Sequence, residues 1–353
     1  MTERVPTVIL GGSGYVAGEL LRLIAAHPHF ALAGILSDSK PGEPLAAAFP
    51  HLACAYPDTR FKSQTEIETL IADEPRSAVL SAAPHGVAAP LIDRLLVAAE
   101  RARTCPRIVD ISADFRYRSA DAYRAVYKHE HGAPRRLAAF TCALPEHLRE
   151  LSTPHVAHPG CFASAILLAS VPLLALGLAT PTLYVSGITG STGSGGKPVD
   201  GTHHPLRHSD VYAYKALAHR HVPEIADCAR AASGVEAEFN FVPTSGPFSR
   251  GIHVTVQAAL ARPLDSAGAL AALREYYARA PFVRVTAEAP RVKSVVASNY
   301  AQLSAAANGR TIAVLCTLDN LTKGAAGGAI QWLNRMFSLP ETAGLVQPAP
   351  GWT

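Results

Sequence analysis

The sequence predicts an α/β protein in which a parallel sheet with helices on both faces precedes an α+β domain. Up to about residue 112, apolar runs typical of buried strands alternate with segments of helical periodicity. From about residue 150, β-like runs are joined by longer polar segments, which is typical of an α+β domain with an antiparallel sheet. The 353 residues suffice for two such domains.

The first β-α-β unit is expected within about the first 37 residues. The apolar run 5–10 is followed by glycines, then by a segment in which Leu20, Leu21 and Ile24 recur at helical spacing, and then by the apolar run 30–37. A strand that breaks at a turn is expected at 77–85 and another strand at 107–112, with a helix between them. In the second half, strands are expected at 183–190, 236–243 and 251–260. The segment 320–337 is expected to form a final helix.

Composition excludes several classes of protein. Hydrophobic residues make up 48% and charged residues 17%, which is typical of a compact globular chain. The formal net charge is only +4 and the basic residues are scattered, so we expect no nucleic-acid partner. The six cysteines form no C-x-x-C pair, which argues against a zinc ribbon or a disulfide framework and for a reducing cytosol.

We expect no membrane partner and a cytoplasmic location. The N-terminus lacks the charged and apolar regions of a signal peptide and leads directly into a strand. The longest apolar stretch, about residues 161–180, contains Pro172, Ser164 and Ser170. We interpret it as a buried helix rather than a membrane span.

A glycine turn separates the first strand from the first helix. Gly11, Gly14 and Gly18 lie there, where the pyrophosphate of a dinucleotide would meet backbone N–H groups and the positive helix end. Such glycines can also serve only for tight strand–helix packing, but the position in an N-terminal β-α-β unit favours a Rossmann-type site. After the second strand, residues 37–40 (Ser-Asp-Ser-Lys) offer an acid, which favours NAD, and a base, which favours NADP.

Cys161 is the main candidate for chemistry. Pro159 and Gly160 precede it and a long apolar segment follows, so we expect a turn with Cys161 in the first turn of a helix. Backbone N–H groups at that position lower a thiol pKa and can stabilise an oxyanion on an attacked carbonyl. The alternative is a small buried hydrophobe, which is our interpretation of the other five cysteines.

The segment 213–225 supplies a base for such a thiol. It contains His219 and His221, and an imidazole can accept the thiol proton and return it to a leaving group. Glu224 follows shortly and can orient the ring.

Two other interpretations of these histidines stay open. They could be a structural pair, or they could bind a metal together with His203, His204 and His208. No carboxylate or cysteine ligand lies at motif spacing, so we expect no metal.

Together these segments resemble one family, the N-acetyl-gamma-glutamyl-phosphate reductases of arginine biosynthesis. The resemblance follows the family's order along nearly the whole chain. It is carried by GGSGYVAGELLRLIAAHP (11–28), APHGVA (83–88), VDISADFR (109–116), ALPE (143–146), HPGCFASA (158–165), AYKALAHRHVPEI (213–225), Arg250-Gly251-Ile252 and DNLTKGAAGGAIQ (319–331). The cysteine and histidine segments are specific to the family, whereas the glycine turn is not.

The resemblance implies a reductase that forms an aldehyde from an acyl phosphate, with Cys161 as nucleophile and His219 or His221 as acid–base group. It implies a Rossmann-type dinucleotide-binding domain at residues 1–156, completed by a C-terminal helix within 321–353. It further implies a catalytic and dimerisation domain of the semialdehyde-dehydrogenase type at 157–320, and a homodimer or homotetramer.

The cofactor implied by the resemblance is NADP(H). The residues implied to hold it are Gly11, Ser13, Gly14, Tyr15, Val16, Ser37, Lys40 and Asn320, and those implied to bind substrate are Arg116, Glu224 and Ser191. Arg116 follows a parallel strand, where its guanidinium could bind a phosphate or a carboxylate, or form only a surface salt bridge. Asn320 and Lys323 could approach the nicotinamide or could only cap the last helix.

The chain departs from the family pattern at several positions. Ala17 replaces a usual glycine, Ser164 a usual threonine, and Asp38 stands where the family tends to carry arginine. The small-residue loop 189–205 differs in detail, which leaves substrate specificity open.

Three other proteins share part of the pattern. The carrier-protein-linked aminoadipate-phosphate reductases of lysine biosynthesis have closely similar motifs, and their acidic carrier would require a basic rim at the site. Aspartate-semialdehyde dehydrogenase shares the chemistry but fits the cysteine and histidine segments less well. A non-catalytic NADP-sensing protein would need the glycine turn without a reactive cysteine.

Overall fold

The computed structural model describes residues 4–351 and divides into two compact units. The first unit extends to Ala143 and also includes Glu150–His158 and Ala326–Leu345. The second contains Leu144–Arg149, Pro159–Ala325 and residues 346–351.

The first unit contains a sheet in which all strand pairs are parallel. Its strands are β1 (Val5–Leu10), β2 (Phe30–Ile35), β3 (Ala78–Ser81), β4 (Arg107–Asp110), β5 (Phe140–Cys142) and β6 (His155–Ala157). They lie in the order β2-β1-β3-β4-β6-β5. The chain continues from β1 to one neighbour, β2, and later to the other, β3. This is the switch point of a doubly wound sheet, where ligands bind at the carboxyl ends of the strands.

Helices cover both faces of this sheet. They are α1 (Tyr15–Ala25), α2 (Leu45–Ala48), α3 (Gln64–Asp73), α4 (Ala88–Ala102), α5 (Ala120–Tyr127) and, from the end of the chain, α10 (Gly327–Met336). Val8 and Val79 share an apolar cluster with Ile67 of α3 and Ile92 of α4. The helices α1 and α10 pack together, and α10 contacts β4. Because successive strand residues point to opposite faces, Ile9 faces away from the α3–α4 cluster.

One of these strands is shorter than the sequence predicts. The strand within 77–85 ends at Ser81, before the expected turn, whereas the strand predicted at 107–112 ends at Asp110. The N–H of Ser112 donates to a side-chain oxygen of Asp110 at 3.1 Å, so this residue leaves the ladder.

The second unit contains a mixed sheet of seven strands. They are β7 (Thr182–Thr189), β8 (Tyr212–Ala213), β9 (Glu238–Ser245), β10 (Ile252–Ala259), β11 (Val283–Val285), β12 (Ala301–Ala307) and β13 (Thr311–Leu318), in the order β11-β12-β13-β10-β7-β9-β8. Its helices are α6 (Cys161–Ala175), α7 (His204–Arg207), α8 (Val222–Ser233) and α9 (Ser266–Tyr276).

The expectation of a purely antiparallel second sheet was wrong. The pairs β7–β9 and β11–β12 are parallel, and the other pairs are antiparallel. The long segment between β7 and β9 includes α8, which contacts β9 and α6. A crossover of this length is what a parallel return requires.

The buried helix α6 continues through a proline. Residues 162–174 of this helix are all buried. Pro172 has no N–H to donate to the carbonyl of Leu168, one turn earlier. The hydroxyl of Tyr277 donates to that carbonyl instead, at 2.7 Å. A tertiary contact thus supplies the hydrogen-bond donor that the Leu168 carbonyl lacks because of Pro172.

The final segment differs from the single helix predicted for 320–337. Thr322–Ala326 form a π-helical turn, and α10 follows it. The N–H of Gly324 donates to the carbonyl of Asp319 at 2.9 Å, five residues earlier, which is the bond that defines such a turn. Among the residues described, no helix is both long and apolar enough to cross a membrane.

The Tyr277→Phe substitution is expected to lower the free energy of unfolding by about 1–3 kcal/mol, because it leaves the buried Leu168 carbonyl without a donor. The neighbouring Tyr276→Phe is the matched control and is expected to change it by less than about 0.5 kcal/mol. Urea unfolding followed by circular dichroism measures both. Adding Pro172→Ala to Tyr277→Phe restores an N–H donor and is expected to recover part of the loss. Equal losses in the two single tyrosine variants would contradict this account.

Candidate active site

Cys161 is the first residue of α6, as its Pro-Gly turn predicts. Gly160 precedes it with an extended backbone (φ −61°, ψ 158°), and no side chain caps this end of the helix. The N–H groups of the first turn and the positive end of the helix therefore favour the thiolate form of Cys161. The residue is half-buried, in contrast to the fully buried Cys316.

Gly160 lies against an imidazole and a carboxylate. A Cβ added at this position would lie 2.5 Å from Cε1 and 2.6 Å from Nε2 of His221, and 2.9 Å from Oε1 of Glu224. The same oxygen of Glu224, which is fully buried, accepts the N–H of Gly160 at 2.8 Å. His221 thus packs on the residue immediately before Cys161, next to a negative charge. Only glycine leaves room for this arrangement.

Local sequence explains how α8 presents this pair. His221 is the residue before the helix, Pro223 lies in the first turn, and Glu224 is the acidic residue of that turn. Proline is favoured at a helix start because its fixed φ suits the helix, and a carboxylate is stabilised there by the helix dipole. His221 and Glu224 are therefore held at the same helix end.

His219 occupies a different position. Its Nδ1 accepts the backbone N–H of His221 at 3.2 Å, and its ring packs edge-on against Phe162. Burial, assisted by the positive charges of Arg220 and Lys215, lowers the pKa of His219 to about 4. The ring is therefore neutral at pH 7 and acts as an acceptor that fixes the backbone of His221.

Tyr214 lies near the sulfur. Its pKa is raised to about 12, first by burial and then by the negative charge of the Cys161 thiolate. The phenol consequently keeps its proton at neutral pH and can donate a hydrogen bond. The backbone N–H of Tyr214 donates to the carbonyl of Pro243 in β9 at 3.0 Å, which places the segment before the histidines along the sheet edge. No role was predicted for this residue from the sequence.

Ser191 and Asn320 belong to one hydrogen-bonded loop. Ser191 begins a short 3₁₀ turn, and its neighbour Thr192 donates to the carbonyl of Ser249 at 2.6 Å. Asn320 donates through Nδ2 to Thr192 Oγ1 at 3.0 Å and accepts the N–H of Gly251 through Oδ1 at 2.7 Å. Asn320 is 2% exposed. The loop that contains Ser191 is thus tied to the start of the final helical segment, and the cofactor contact of Asn320 stays a prediction.

A buried carboxylate anchors that segment. Asp319 is fully buried and binds Arg250 at two points, at 3.0 and 2.9 Å. It also accepts the N–H groups of Leu321 and Thr322, at 2.9 and 2.8 Å. Bidentate arginine–carboxylate contacts combine strength with fixed geometry. The start of the π-helical turn is therefore held firmly in the second unit.

The glycine turn of the first unit fits a dinucleotide. Gly11 has φ +77°, and a Cβ there would lie 2.4 Å from Cα of Ala83. The N–H of Gly12 donates to the carbonyl of Leu36 at 2.8 Å. Gly14 begins α1 without a side-chain cap, and a Cβ on it would meet nothing within 4 Å. Backbone donors at the helix start thus face open space of the kind that a pyrophosphate occupies.

The other residues predicted to hold the cofactor lie at two places in the first unit. Ser13 is exposed in the same glycine turn, and at the start of α1 Tyr15 is exposed and Val16 half-buried. Ser37 is buried and Lys40 half-buried in the turn that follows β2.

The turn that follows β2 contains both an acidic residue, Asp38, and a basic residue, Lys40. Asp38 is exposed, and the ammonium of Lys40 lies 3.7 Å from the carboxylate of Glu43. An exposed pair at this distance is mobile and weak, so Lys40 can turn toward a ligand phosphate.

Arg116 is buried and does not lie at the surface, where a salt bridge was one alternative for it. Its side chain is 6% exposed. Nε donates to the carbonyl of His158 at 2.9 Å and Nη2 to that of Ile111 at 2.7 Å. The guanidinium thus ties the chain after β4 to the chain after β6, a few residues before Cys161. A contact with a substrate anion stays a prediction.

The histidines considered as metal ligands include two pairs of neighbouring rings. The rings of His204 and His208 are 5.2 Å apart, and those of His219 and His221 are 4.6 Å apart. Within residues 4–351, no group of three or more His, Cys, Asp or Glu side chains could hold a metal ion.

Chains of known families share both units. Residues 6–155 match the NAD-binding domain of semialdehyde dehydrogenases, and residues 161–320 match their dimerisation domain. The structure of aspartate semialdehyde dehydrogenase II from Vibrio cholerae, complexed with ASA, is similar to this chain with a TM-score of 0.68 at 13% sequence identity. The match covers 96% of this chain and 99% of the Vibrio cholerae chain. A probable aspartate-semialdehyde dehydrogenase from Pseudomonas aeruginosa has a TM-score of 0.65 at 16% sequence identity. This match covers 95% of this chain and 99% of the Pseudomonas aeruginosa chain. Fold and site therefore define a protein of the semialdehyde dehydrogenase class.

Sequence relatives narrow the class. The N-acetyl-gamma-glutamyl-phosphate reductase of Ectopseudomonas mendocina is 38% identical over 97% of this chain and 98% of the relative. The protein of that name from Methanopyrus kandleri is 36% identical, over 96% of this chain and 97% of the relative. The chain belongs to the N-acetyl-gamma-glutamyl-phosphate reductase family.

The Glu224→Gln substitution is expected to reduce kcat by about 10- to 100-fold. It keeps an acceptor for the Gly160 N–H but removes the negative charge that stabilises a protonated His221. The acidic limb of the pH–rate profile is expected to move to lower pH, while NADPH binding, measured by fluorescence, stays unchanged. The exposed Glu236→Gln is the control. A kcat within twofold of wild type with an unshifted profile would disprove this role.

Acid is expected to destabilise the protein partly through His219. Because its folded pKa is depressed to about 4, its contribution is fully present above the unfolded value of 6.5 and is lost as pH falls toward 4. The loss amounts to at most about 3 kcal/mol. In His219→Gln, urea unfolding between pH 7 and pH 4 should show a shallower decline. The pKa values of His27, His147 and His155 are also lowered to about 4. The free energy of unfolding of His219→Gln should therefore still decline as the pH falls. An unchanged slope would exclude this assignment.

Proposed function

We propose that this protein reduces N-acetyl-γ-glutamyl phosphate to N-acetylglutamate semialdehyde, with release of phosphate, in arginine biosynthesis. One observation carries the proposal. Cys161 begins a helix beside His221 and Glu224, in a chain up to 38% identical to reductases of this name. A thiol nucleophile with an adjacent acid–base group is what conversion of an acyl phosphate to an aldehyde requires.

NADP(H) is the proposed cofactor. The glycine turn at Gly11, Gly12 and Gly14 would hold its pyrophosphate, and Lys40 would meet the 2′-phosphate. Support comes from the open space at Gly14 and from the match of residues 6–155 to a nicotinamide-dinucleotide domain. When bound, NADPH supplies the hydride that reduces the acyl group.

Cys161 performs the first step. Its thiolate attacks the acyl carbon, the C–S bond forms, and the bond to the phosphate oxygen breaks with its electron pair remaining on the phosphate. The product is a thioester on Sγ. The N–H groups of the first turn of α6 are placed to stabilise the oxyanion that develops on the carbonyl oxygen. One difficult displacement is thereby divided into two easier ones.

His221 carries the proton. It takes the proton of the Cys161 thiol, and the carboxylate of Glu224 stabilises the resulting imidazolium. After reduction, His221 donates this proton to the oxygen of the tetrahedral adduct. When it takes the proton back, the C=O bond reforms, the C–S bond breaks, and Sγ leaves as thiolate.

The division of work between the two histidines follows from their surroundings. His219 is neutral, and its Nδ1 is occupied by the backbone N–H of His221. We therefore assign His219 to positioning and His221 to proton transfer.

A homodimer or homotetramer in the cytoplasm belongs to the same proposal. The face of the second sheet that carries Tyr184 and Ile188 leaves these side chains 60% and 37% exposed. Residues 161–320, which include this sheet, match a dimerisation domain. Large exposed apolar side chains on one sheet face are typical of an interface between subunits.

A second candidate is carrier-protein-linked aminoadipate-phosphate reduction. Lys215 and Arg220 are exposed, and both charges act on His219. A basic rim of this kind suits an acidic carrier, but it suits the phosphate of a small substrate equally.

The Cys161→Ser variant is expected to lose at least about 1,000-fold of phosphate-dependent turnover, because an alcohol is a far weaker nucleophile than a thiolate at a helix start. NADPH binding should persist. Cys54→Ser, which changes an exposed cysteine, is the control and should stay within twofold of wild type. Near-normal turnover in Cys161→Ser would refute the mechanism.

The substrate is best identified in the reverse direction. NADP reduction is followed by absorbance with phosphate and either N-acetylglutamate semialdehyde or carrier-linked aminoadipate semialdehyde. Preference for the first supports the proposal, and preference for the second supports the carrier-linked reaction. Activity with neither substrate, together with no selective alkylation of Cys161 by iodoacetamide, would indicate a cofactor-sensing protein.

A further inference from the structure

Gly324 touches Cys161 from the side of the final helical segment. A Cβ added at Gly324 would lie 2.8 Å from Cβ and 3.0 Å from Cα of Cys161. Both atoms belong to the rigid start of a buried helix and cannot yield as the end of a flexible side chain would. The absence of a side chain at 324 is therefore what allows the π-helical turn to approach the nucleophile.

An ion pair holds the neighbouring residue in place. Lys323 is fully buried and donates through Nζ to Oε1 of Glu146, also fully buried, at 2.5 Å. The ammonium lies 5.8 Å from the centre of the Phe282 ring. Next to Glu146, burial lowers the pKa of His147 to about 4, so this ring is neutral at pH 7. The Lys323–Glu146 pair is thus a buried ion pair that holds the π-helical turn in place.

The residues before the turn are fixed independently. Asp319 binds Arg250 and the N–H group of Thr322, the first residue of the turn, while Asn320 bonds to Gly251 and Thr192. The N–H of Gly324 donates to the carbonyl of Asp319, five residues earlier, and this bond sets where the Gly324 backbone lies. Together with the Lys323–Glu146 ion pair, these contacts restrain the chain that leads into Gly324 and leave it little freedom to retreat from Cys161.

We infer that Gly324, held by the Lys323–Glu146 ion pair, is a positioning residue for Cys161. It acts through the backbone and Cβ of Cys161. This inference rests on the proposed role of Cys161 as nucleophile. The turn restricts Cys161 and the imidazole of His221 restricts the preceding residue, Gly160, so the sulfur is held relative to its base.

The test compares Gly324→Ala with Gly268→Ala. In the control, the added Cβ would lie equally close, 2.7 Å, but to Cδ1 of Leu264, the movable end of a side chain remote in sequence from the site. In Gly324→Ala we expect kcat to fall by about 30-fold or more, because small misplacements of reacting groups have large effects on rate. KM and NADPH affinity are expected to change by less than about threefold, and Gly268→Ala should resemble wild type throughout.

Alkylation of Cys161 by iodoacetamide across pH 5–10 provides a readout that a purely structural role would not move. Peptide mass mapping follows the rate at this residue. In Gly324→Ala the pH midpoint should shift upward by at least about half a unit, because the sulfur leaves the helix start and its base. A kcat within twofold of wild type and an unshifted midpoint in a folded Gly324→Ala would overturn the inference.

A second variant applies if Gly324→Ala does not fold. Lys323→Met with Glu146→Gln removes both buried charges together, which avoids leaving one charge unpaired. With the turn less firmly held, kcat should fall by about 10-fold and the alkylation midpoint should move in the same direction. A double variant that is folded and indistinguishable from wild type in both measurements would overturn the role of the pair.

The outcomes separate this inference from the proposed function. Alkylation needs no substrate, so the positioning role is tested even if the acyl phosphate is another one. A wild-type protein without Cys161-dependent turnover would refute the proposed function. Full Cys161-dependent turnover that Gly324→Ala leaves intact would refute only the positioning role.

Discussion

Two glycine contacts govern the arrangement around Cys161. Gly160 allows His221 to lie on the residue before Cys161, and Gly324 allows the π-helical turn to lie on Cys161 itself. At each position an added methyl group would overlap an atom by far more than packing tolerates. The thiol, the imidazole and the buried carboxylate of Glu224 can therefore share a small volume only because two side chains are missing. The remaining polar contacts of the second unit maintain this approach.

Those contacts match buried charges and polar groups of the second unit with partners. Asp319 is matched by Arg250 and by backbone N–H groups, and Lys323 is matched by Glu146. The carbonyl that Pro172 leaves open is matched by Tyr277. Buried polar groups without such partners would cost more than the packing around them contributes. The same burial keeps His219 neutral and thereby makes it an acceptor rather than a proton donor.

Local patterns predicted much of this architecture. The first β-α-β unit follows from apolar runs and glycines that are adjacent in sequence, and β1 and α1 lie where these patterns predict them. The start of α6 at Cys161 follows likewise from its Pro-Gly turn. The second sheet was predicted wrongly, because strand direction depends on which strands pair across the chain. Neither periodicity nor turn residues encode that pairing.

The sequence alone determined the candidate nucleophile, the two candidate histidines, the glycine turn and the family that they resemble. Tertiary structure decided which histidine lies on Gly160. The ring of His221 contacts Gly160, whereas the ring of His219 is bonded to the backbone N–H of His221. Tertiary structure also decided that Arg116 binds backbone carbonyls and that Gly324 meets Cys161. These contacts join residues far apart in sequence, and only the folded chain brings them within bonding distance.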